Sequence, residues 1–521
     1  MKKSYLNYII VLSSLTLMFL SASGNHLFAQ SGHQTARMMG LGGGGAAYQD
    51  LYHANFVNPA NLMINHNKRP TVTAGLAGGI YARAGGSLLN ISTYNEYLTS
   101  GLVIEGAIAD NMLDQWFGVS SSNMRSGSIE AGAVTLGGVY RADRWVISAA
   151  HRYRVIAGGS FSRGLADLVF RGLDSDYFSD PRAVNTRQEL VAFNEISVGF
   201  ATSIYSGQDL FGFTDGFRIY AGIAPKLLLG GDYASLSMNS ALRVQGVTAT
   251  DGGSINHNFS YTLEAAGELS DQLAAYNRDR IAGSDPKLND YVDYSSGNLS
   301  GINGISAGVD LGVTAELDLK ENLFGGSGIF RGEKKLRLGF SLTDLGSVSF
   351  SDRARSFGAA DDFYWEGFQY DQETIDERFD GDESAYFESV LIDSIGNDIY
   401  GNFSTSDQSR HSVGLPTQLR FGSHLELGRF GLMLDLGAGL LERGSNSRKM
   451  YIVLGSEYRF WNRIPLRAGF RTGGDNSTTY HAGTGVEFRN IDFTIGAATT
   501  ASSKHNGASI GAAWSGIVVH F

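Results

Sequence analysis

The chain has no cysteine among its 521 residues, so it has no disulfide framework and no thiolate-held metal. Proline occurs only 7 times, which leaves long segments free to run as unbroken strands. Past the first 30 residues there is no apolar run of the ~20 residues that a membrane-crossing helix needs. Lys and Arg number 41 against 52 Asp and Glu, and the net charge of -11 argues against a nucleic-acid binder, which should be basic. Glycine, by contrast, is abundant at 68 residues, beside 24 Tyr and 30 Phe. Glycine suits tight turns and crowded walls, and aromatics suit the two edges of a membrane span.

Lys2 and Lys3 precede an apolar stretch from Ile9 to Leu20, and Leu27-Phe28-Ala29 offers a cleavage site before Gln30. This pattern predicts a signal peptide over 1–29 and hence export. No cysteine follows the apolar stretch, so a lipid-anchored form is not expected. An exported chain without apolar helices can cross a membrane only as a closed barrel, because no other fold satisfies its backbone there. The alternation agrees. Ile305, Ala307, Val309, Leu311, Val313, Ala315 and Leu317 form one face of a segment whose other face is Ser306, Gly308, Asp310, Gly312, Thr314, Glu316 and Asp318. Strands are predicted near 71–84, 127–140, 144–157, 189–204, 216–230, 303–319, 334–346, 411–427, 429–441, 449–460, 464–474, 479–488, 490–499 and 508–521. The four longest connections, 85–126, 158–188, 231–302 and 347–410, then all fall on one side, as in outer-membrane barrels with short periplasmic turns. Twelve or sixteen strands stay open, because 232–248 and 256–263 also alternate and are read as an outer hairpin. A soluble propeller would need a blade repeat, and none is found. The last segment ends in Phe521, as a closing barrel strand does, although Ser515 interrupts its apolar face. The predicted fold class is therefore all-β: a transmembrane antiparallel β-barrel of about fourteen strands. The predicted divisions are 1–29, a lumenal segment 30–70 and a barrel 71–521.

The stretch before the first strand is rich in small residues from Gly42 to Ala47, followed by Asp50 and then Asn58-Pro59-Ala60 and Leu62. It resembles the start of the FadL-type (OmpP/TodX-like) outer-membrane transporters of hydrophobic compounds. The Ala29-Gln30 junction and the segments Leu415 to Gly422 and Ile464 to Phe470 are more similar to the Bacteroidota branch, which includes PorV-type proteins of type IX secretion. The resemblance implies that 30–70 is a hatch plugging the lumen, with Asp50, Asn58, Pro59, Ala60 and Leu62 as its motif. Asn58, standing before a proline, is expected to be extended.

Other motifs are weaker. Gly40 to Gly45 matches a dinucleotide fingerprint only as a string, with no strand before it. Gly304-Ile305-Ser306-Ala307-Gly308 matches a nucleophile elbow but lies inside an alternating strand. The lumen-facing phase carries Arg152, Arg154, Arg337, Arg420, Glu426, Asp435, Glu457, Arg467, Arg471 and Glu487, with His424, Arg459, His481 and Asp492. Mixed signs at these positions predict an internal ion-pair network that stiffens the wall and anchors the hatch. In the loop 85–126, Leu102, Ile104, Ile108, Met112 and Trp116 have helical spacing and form either a ligand vestibule or the packing of a closed loop. The acidic residues Asp376, Asp380, Asp382 and Glu383 lack the spacing of a calcium loop.

The expected function is passive uptake of hydrophobic, fatty-acid-like small molecules. The alternative is a PorV-like scaffold for secretion or envelope assembly. No enzyme activity, metal or cofactor is expected, and no nucleic acid. The expected partners are outer-membrane lipid, a hydrophobic small-molecule ligand and proteins at the extracellular loops.

Overall fold

A computed structural model describes residues 32–521, apart from 67–68, 100–101, 103, 105, 172–175, 209–211, 246–252, 285, 287–290, 292–300, 322, 325–327, 369–371, 381–401, 442–447, 475–477 and 501–506. The expected signal peptide, Asp382 and Glu383 lie outside the described residues. Fourteen antiparallel strands follow one another around a closed ring. They are β1 (Val72–Gly86), β2 (Met124–Arg141), β3 (Trp145–Ser162), β4 (Thr186–Gly207), β5 (Thr214–Gln245), β6 (Gly304–Leu319) and β7 (Lys334–Phe350). β8 (His411–Gly414 and Gln418–Leu427), β9 (Phe430–Gly439), β10 (Tyr451–Phe460), β11 (Ile464–Gly473), β12 (Thr479–Glu487), β13 (Ile491–Thr500) and β14 (Ala508–Trp514 and Ile517–His520) complete it. β14 closes the ring on β1, with Ala82 opposite Ala512 and Thr73 opposite His520. β8 breaks at Pro416, which has no N–H for the ladder.

The alternation is inside-out for a soluble protein. On β6, Ile305, Leu311 and Val313 are exposed, while Asp310, Thr314 and Glu316 are buried. On β9 and β10, Leu432 and Leu454 are exposed, while Asp435 and Glu457 are buried. A wall that turns apolar side chains outward over its whole girth is built for lipid. Among the described residues no helix is long and apolar enough to cross a membrane. Exposed Tyr140, Trp145, Phe460, Trp461, Phe488 and Phe521 ring the end that carries the short turns.

Two segments differ from the sequence expectation. β5 does not stop near 230 but runs 32 residues to Gln245, so that the outer hairpin expected over 232–248 and 256–263 is present as a continuation of a wall strand. β5 pairs there with Gly253–Ala266, and that strand pairs with Arg355–Phe368, inside a stretch expected to be loop. The adjacent acidic pair Asp361-Asp362 hides this last strand's alternation, although Phe357 on it is fully buried. The result is a projecting sheet on the long-loop side, with helix Glu268–Ile281 packed against it.

Residues 32–66 fold inside the barrel, and every residue from Gly32 to Leu62 is buried. The segment is a short helix, Ala36–Gly40, capped by Thr35, followed by the 3-10 turns Leu51–Phe56 and Pro59–Met63. Wall glycines make room for it. A Cβ on Gly312 would strike Asn58, one on Gly339 the Ala46 carbonyl, one on Gly469 the backbone at Leu41 and Gly42, and one on Gly496 the Ala36 carbonyl. Gly222 stands opposite Gly312, Gly339 opposite Gly422 and Gly483 opposite Gly496. Much of the glycine content therefore serves close approach of wall and plug.

Candidate functional site

The Asn58-Pro59-Ala60 motif starts a 3-10 turn. Asn58 is extended (φ -161°, ψ 100°), its Oδ1 accepts from the Ala60 N–H at 3.1 Å, and Pro59 takes the first helical position, where no donor is needed. Asn58 Nδ2 donates to the Ala46 carbonyl (2.7 Å) and to Thr314 Oγ1 on β6 (3.0 Å). Asn61 also donates to the Ala46 carbonyl (3.0 Å) and accepts from Thr314 (2.6 Å). The motif therefore knots the two halves of the plug to one wall position. Leu62 and Ala60 are buried beside it.

Asp50 sits at the start of the turn Leu51–Phe56 and accepts from Arg37 Nη1 at 3.0 Å and closely from Arg69. Burial pushes its carboxyl up, but Arg69 and Arg37 outweigh burial and hold it well below the usual carboxylate range. Arg37 also reaches Glu487 (3.0 Å) and Asp492 (2.7 Å), and Arg69 reaches Asp492 (2.7 Å). Plug and wall are thus joined at β12 and β13 through shared carboxylates.

Of the ten expected lumen residues, nine are buried on the inward face and Glu426 is half-buried. Arg467 holds Glu457 and Glu487, both at 2.6 Å, and Arg459 holds the same two at 2.6 and 2.9 Å. Arg337 bridges Glu316 (2.7 Å) and Glu426 (2.9 Å). Arg154 holds Glu130 and Asp344, both at 2.9 Å, and Arg152 closely holds Glu195. Asp435 instead accepts plug N–H groups, from Gly45 (2.5 Å) and Ala46 (2.9 Å). Arg420 and Arg471 have no carboxylate within ion-pair distance among the described residues. Sequence reasoning missed Arg37, Arg69, Glu130, Glu195, Lys226 and Asp344. Lys226, which reaches Asp310 (2.8 Å) and Asp344 (2.7 Å), was hidden in an otherwise apolar run. Asp344 has positive φ (57°) near a register shift, which takes it out of simple alternation.

Of the vestibule candidates, Met112 is fully buried, and Ile104, Ile108 and Trp116 pack with Tyr97, Leu113 and Phe117 and with Phe170 of helix Arg163–Arg171. They form the core of a closed loop. Only Leu102 of the five is open, at 48% exposure. At the long-loop end of β1 to β5 lies a cavity of ≈ 380 Å³, lined by Ser126, Ser128, Ser160, Arg187, Gln188 and Glu189 among others.

One of the wall's interruptions lies beside the plug, where β1 meets β2 and β14. β1 pairs β14 at Leu76–Ile517 and resumes at Ile80–Trp514; it pairs β2 at Leu76–Leu136 and resumes at Gly79–Val134. Ala77 adopts φ 46° and Gly516 φ 67°, so both strands bulge together. Ser515, which breaks the apolar pattern of the last segment, lies in this bulge and accepts from the Thr494 N–H at 2.9 Å. From inside, the Tyr52 hydroxyl donates to the Gly78 carbonyl at 2.9 Å. Tyr52, Leu51 and Phe56 of the plug pack there with Val134, Val139 and Val518.

The model of a protein family described as a family of unknown function (DUF5723) matches residues 64–520. No curated protein matches the chain. Among solved structures the chain is similar to the Ralstonia pickettii toluene transporter TbuX, at 12% identity over 94% of this chain and 98% of that one, with a TM-score of 0.39. It is similar to a Pseudomonas aeruginosa FadL homologue at 11% identity, over 95% and 99% of the two chains, with a TM-score of 0.40. It is also similar to a TodX deltaS2S3 mutant monoaromatic hydrocarbon channel at 11% identity, over 94% and 99%, with a TM-score of 0.46. At such scores the substrate of each remains a property of that protein.

Proposed function

The chain belongs to the family of unknown function (DUF5723), and from that premise, which fixes no activity, we propose that it is an outer-membrane barrel for passive uptake of hydrophobic small molecules. The observation that carries this reading is the interrupted wall at β1, β2 and β14, backed by the apolar face of the plug. A polar pore would need an open aqueous lumen, whereas here residues 32–66 fill it. An apolar compound needs no such pore. It needs an entrance between the loops and an exit into lipid, and a bulge lined by Leu51, Tyr52 and Phe56 suits the exit. Plug residues 32–66 act as a hatch in this reading, with Tyr52 as the side chain that yields. Exposed Leu98, Leu102 and Val169 on the loop cluster supply an apolar landing surface.

The test is uptake of a pyrene-labelled fatty acid by liposomes carrying the purified barrel. Faster uptake than in empty liposomes, rising further in Tyr52→Ala, is the expected result. Uptake equal to that of empty liposomes in both variants would sink the proposal. The projecting sheet around Gly253–Ala266 favours a second reading, a scaffold that holds a secreted protein at the loops. In that case native mass spectrometry of the barrel from mild detergent finds a stoichiometric second polypeptide.

A further inference from the structure

The buried arginines of the lumen are of two kinds. Arg37, Arg69, Arg152, Arg154, Arg337, Arg459 and Arg467 each hold at least one carboxylate. Arg420 and Arg471 do not, among the described residues. Arg420 is 2% exposed; its Nε and Nη2 both donate to Gln418 Oε1, at 2.9 and 2.5 Å, and its Nη1 has no hydrogen-bond partner among the described residues. Arg471 is 6% exposed and lays its guanidinium over the Tyr451 ring, 4.0 Å from the centroid.

The register brings these groups together. Arg420 stands opposite Gly437, which stands opposite Tyr451, and Arg471 is two residues from Gly473, the partner of Tyr451 on β11. Arg83 enters from β1, where it stands opposite Glu130 of β2 and its Nε donates to Ser509 Oγ at 3.4 Å. Both Arg83 and Arg420 act on Arg471 as like charges. Asp435 acts on Arg420 as an opposite charge, but its Oδ2 is taken by the Gly45 and Ala46 N–H groups; a neutral hydrogen bond to Gln418 and a ring face do not balance the remaining guanidinium charge, which is costly to bury.

We propose that Arg420, Arg471 and Arg83 form a lumenal binding site for a phosphate group, on the loop side of the plug. Guanidinium forks match the oxygens of a phosphate two at a time, and three cations suit a doubly charged oxyanion better than a singly charged carboxylate. The unpaired Nη1 of Arg420 supplies one donor. The phosphate comes either as the free ion or as part of a lipid head group. The site concerns charge rather than apolar surface, so it stands or falls separately from hydrophobic uptake.

The test uses the full-length barrel in non-ionic detergent, with thermal unfolding followed at constant ionic strength in chloride, in inorganic phosphate or with a short-chain phosphatidic acid. At about 10 mM phosphate the midpoint should rise by roughly 2–4 °C. The double variant Arg420→Gln/Arg471→Gln should lose that rise, yet melt no lower than wild type in chloride, because it sheds two buried charges that hold no carboxylate in an ion pair among the described residues. A rise with phosphatidic acid alone supports the site and assigns it a lipid source. No rise with either probe, or an equal rise in the variant, overturns the proposal. Should the double variant not fold, Arg471→Lys takes its place: it keeps the charge, loses the fork, and should lose at least half of the rise. An undiminished rise there also overturns the proposal.

Discussion

In the half of the lumen nearer the short turns, Arg37, Arg69, Arg459 and Arg467 share Asp50, Glu457, Glu487 and Asp492. In the half nearer the long loops, Arg420 and Arg471 have Gln418 and Tyr451 for company, and serine and glycine line the cavity. In the first half each of these cations meets carboxylates, and plug backbone lies against wall glycine. The second half keeps donors and space. A lumen whose only task was to be sealed would be built like the first half throughout. The contrast separates residues that fix the plug from residues with capacity left for a ligand.

The strongest way to break this comparison is to unpair the first half. Asp50→Ala leaves Arg37 and Arg69 with fewer carboxylates in a buried place, and removing one partner of a buried pair costs about 3–5 kcal/mol. Denaturant unfolding of the folded barrel should report that loss. A change near zero would mean that the plug is held by packing alone. On the loop side, Met112→Ala should cost about 2–5 kcal/mol through a cavity in the closed-loop core, whereas Leu102→Ala should change stability by less than about 0.5 kcal/mol. Equal effects at the two positions would contradict their different burial.

The wall was legible in the sequence because the strand period is two and many inward positions are marked by charge or glycine. Arg152 and Arg154, or Arg467 and Arg471, declare their face by spacing alone. The missed residues lie where that period slips or is masked, as at Asp344 beside a register shift and Lys226 in an apolar run. Pairing was not legible. Nothing local says that Arg37 reaches Asp492, 455 positions away, or that Arg420 reaches only a neutral partner two residues off. Periodicity gives the face of a side chain, and tertiary closure gives its partner.

The plug itself can be probed by pH. His66 Nε2 donates to the Tyr48 carbonyl (2.9 Å), and burial, aided by Arg337, pushes its imidazole down to about 4. It is therefore neutral in the folded barrel but takes up a proton on unfolding below its ordinary value. The unfolded state binds more protons, so stability falls as pH drops from about 6.5 towards 4, by roughly 2 kcal/mol at pH 5 from this residue. His66→Asn should flatten that part of the profile. An unchanged slope would place the proton uptake at His33 or His53, which are buried and pushed down as well.

A further expected effect concerns the boundary between the two halves, at the bulge of β1 and β14. Ser515 is there because two bulged strands leave the Thr494 N–H without its ladder partner, and the serine hydroxyl accepts it. If the bulge exists only to relieve the wall, Ser515→Ala should cost about 1 kcal/mol and change nothing else. If the bulge is the exit into lipid, the same substitution should also alter pyrene-fatty-acid uptake, because loosening β14 widens the place that Tyr52 covers. Unfolding and uptake measured on this one variant separate a structural kink from a route. A stability loss with unchanged uptake would move the exit elsewhere on the wall.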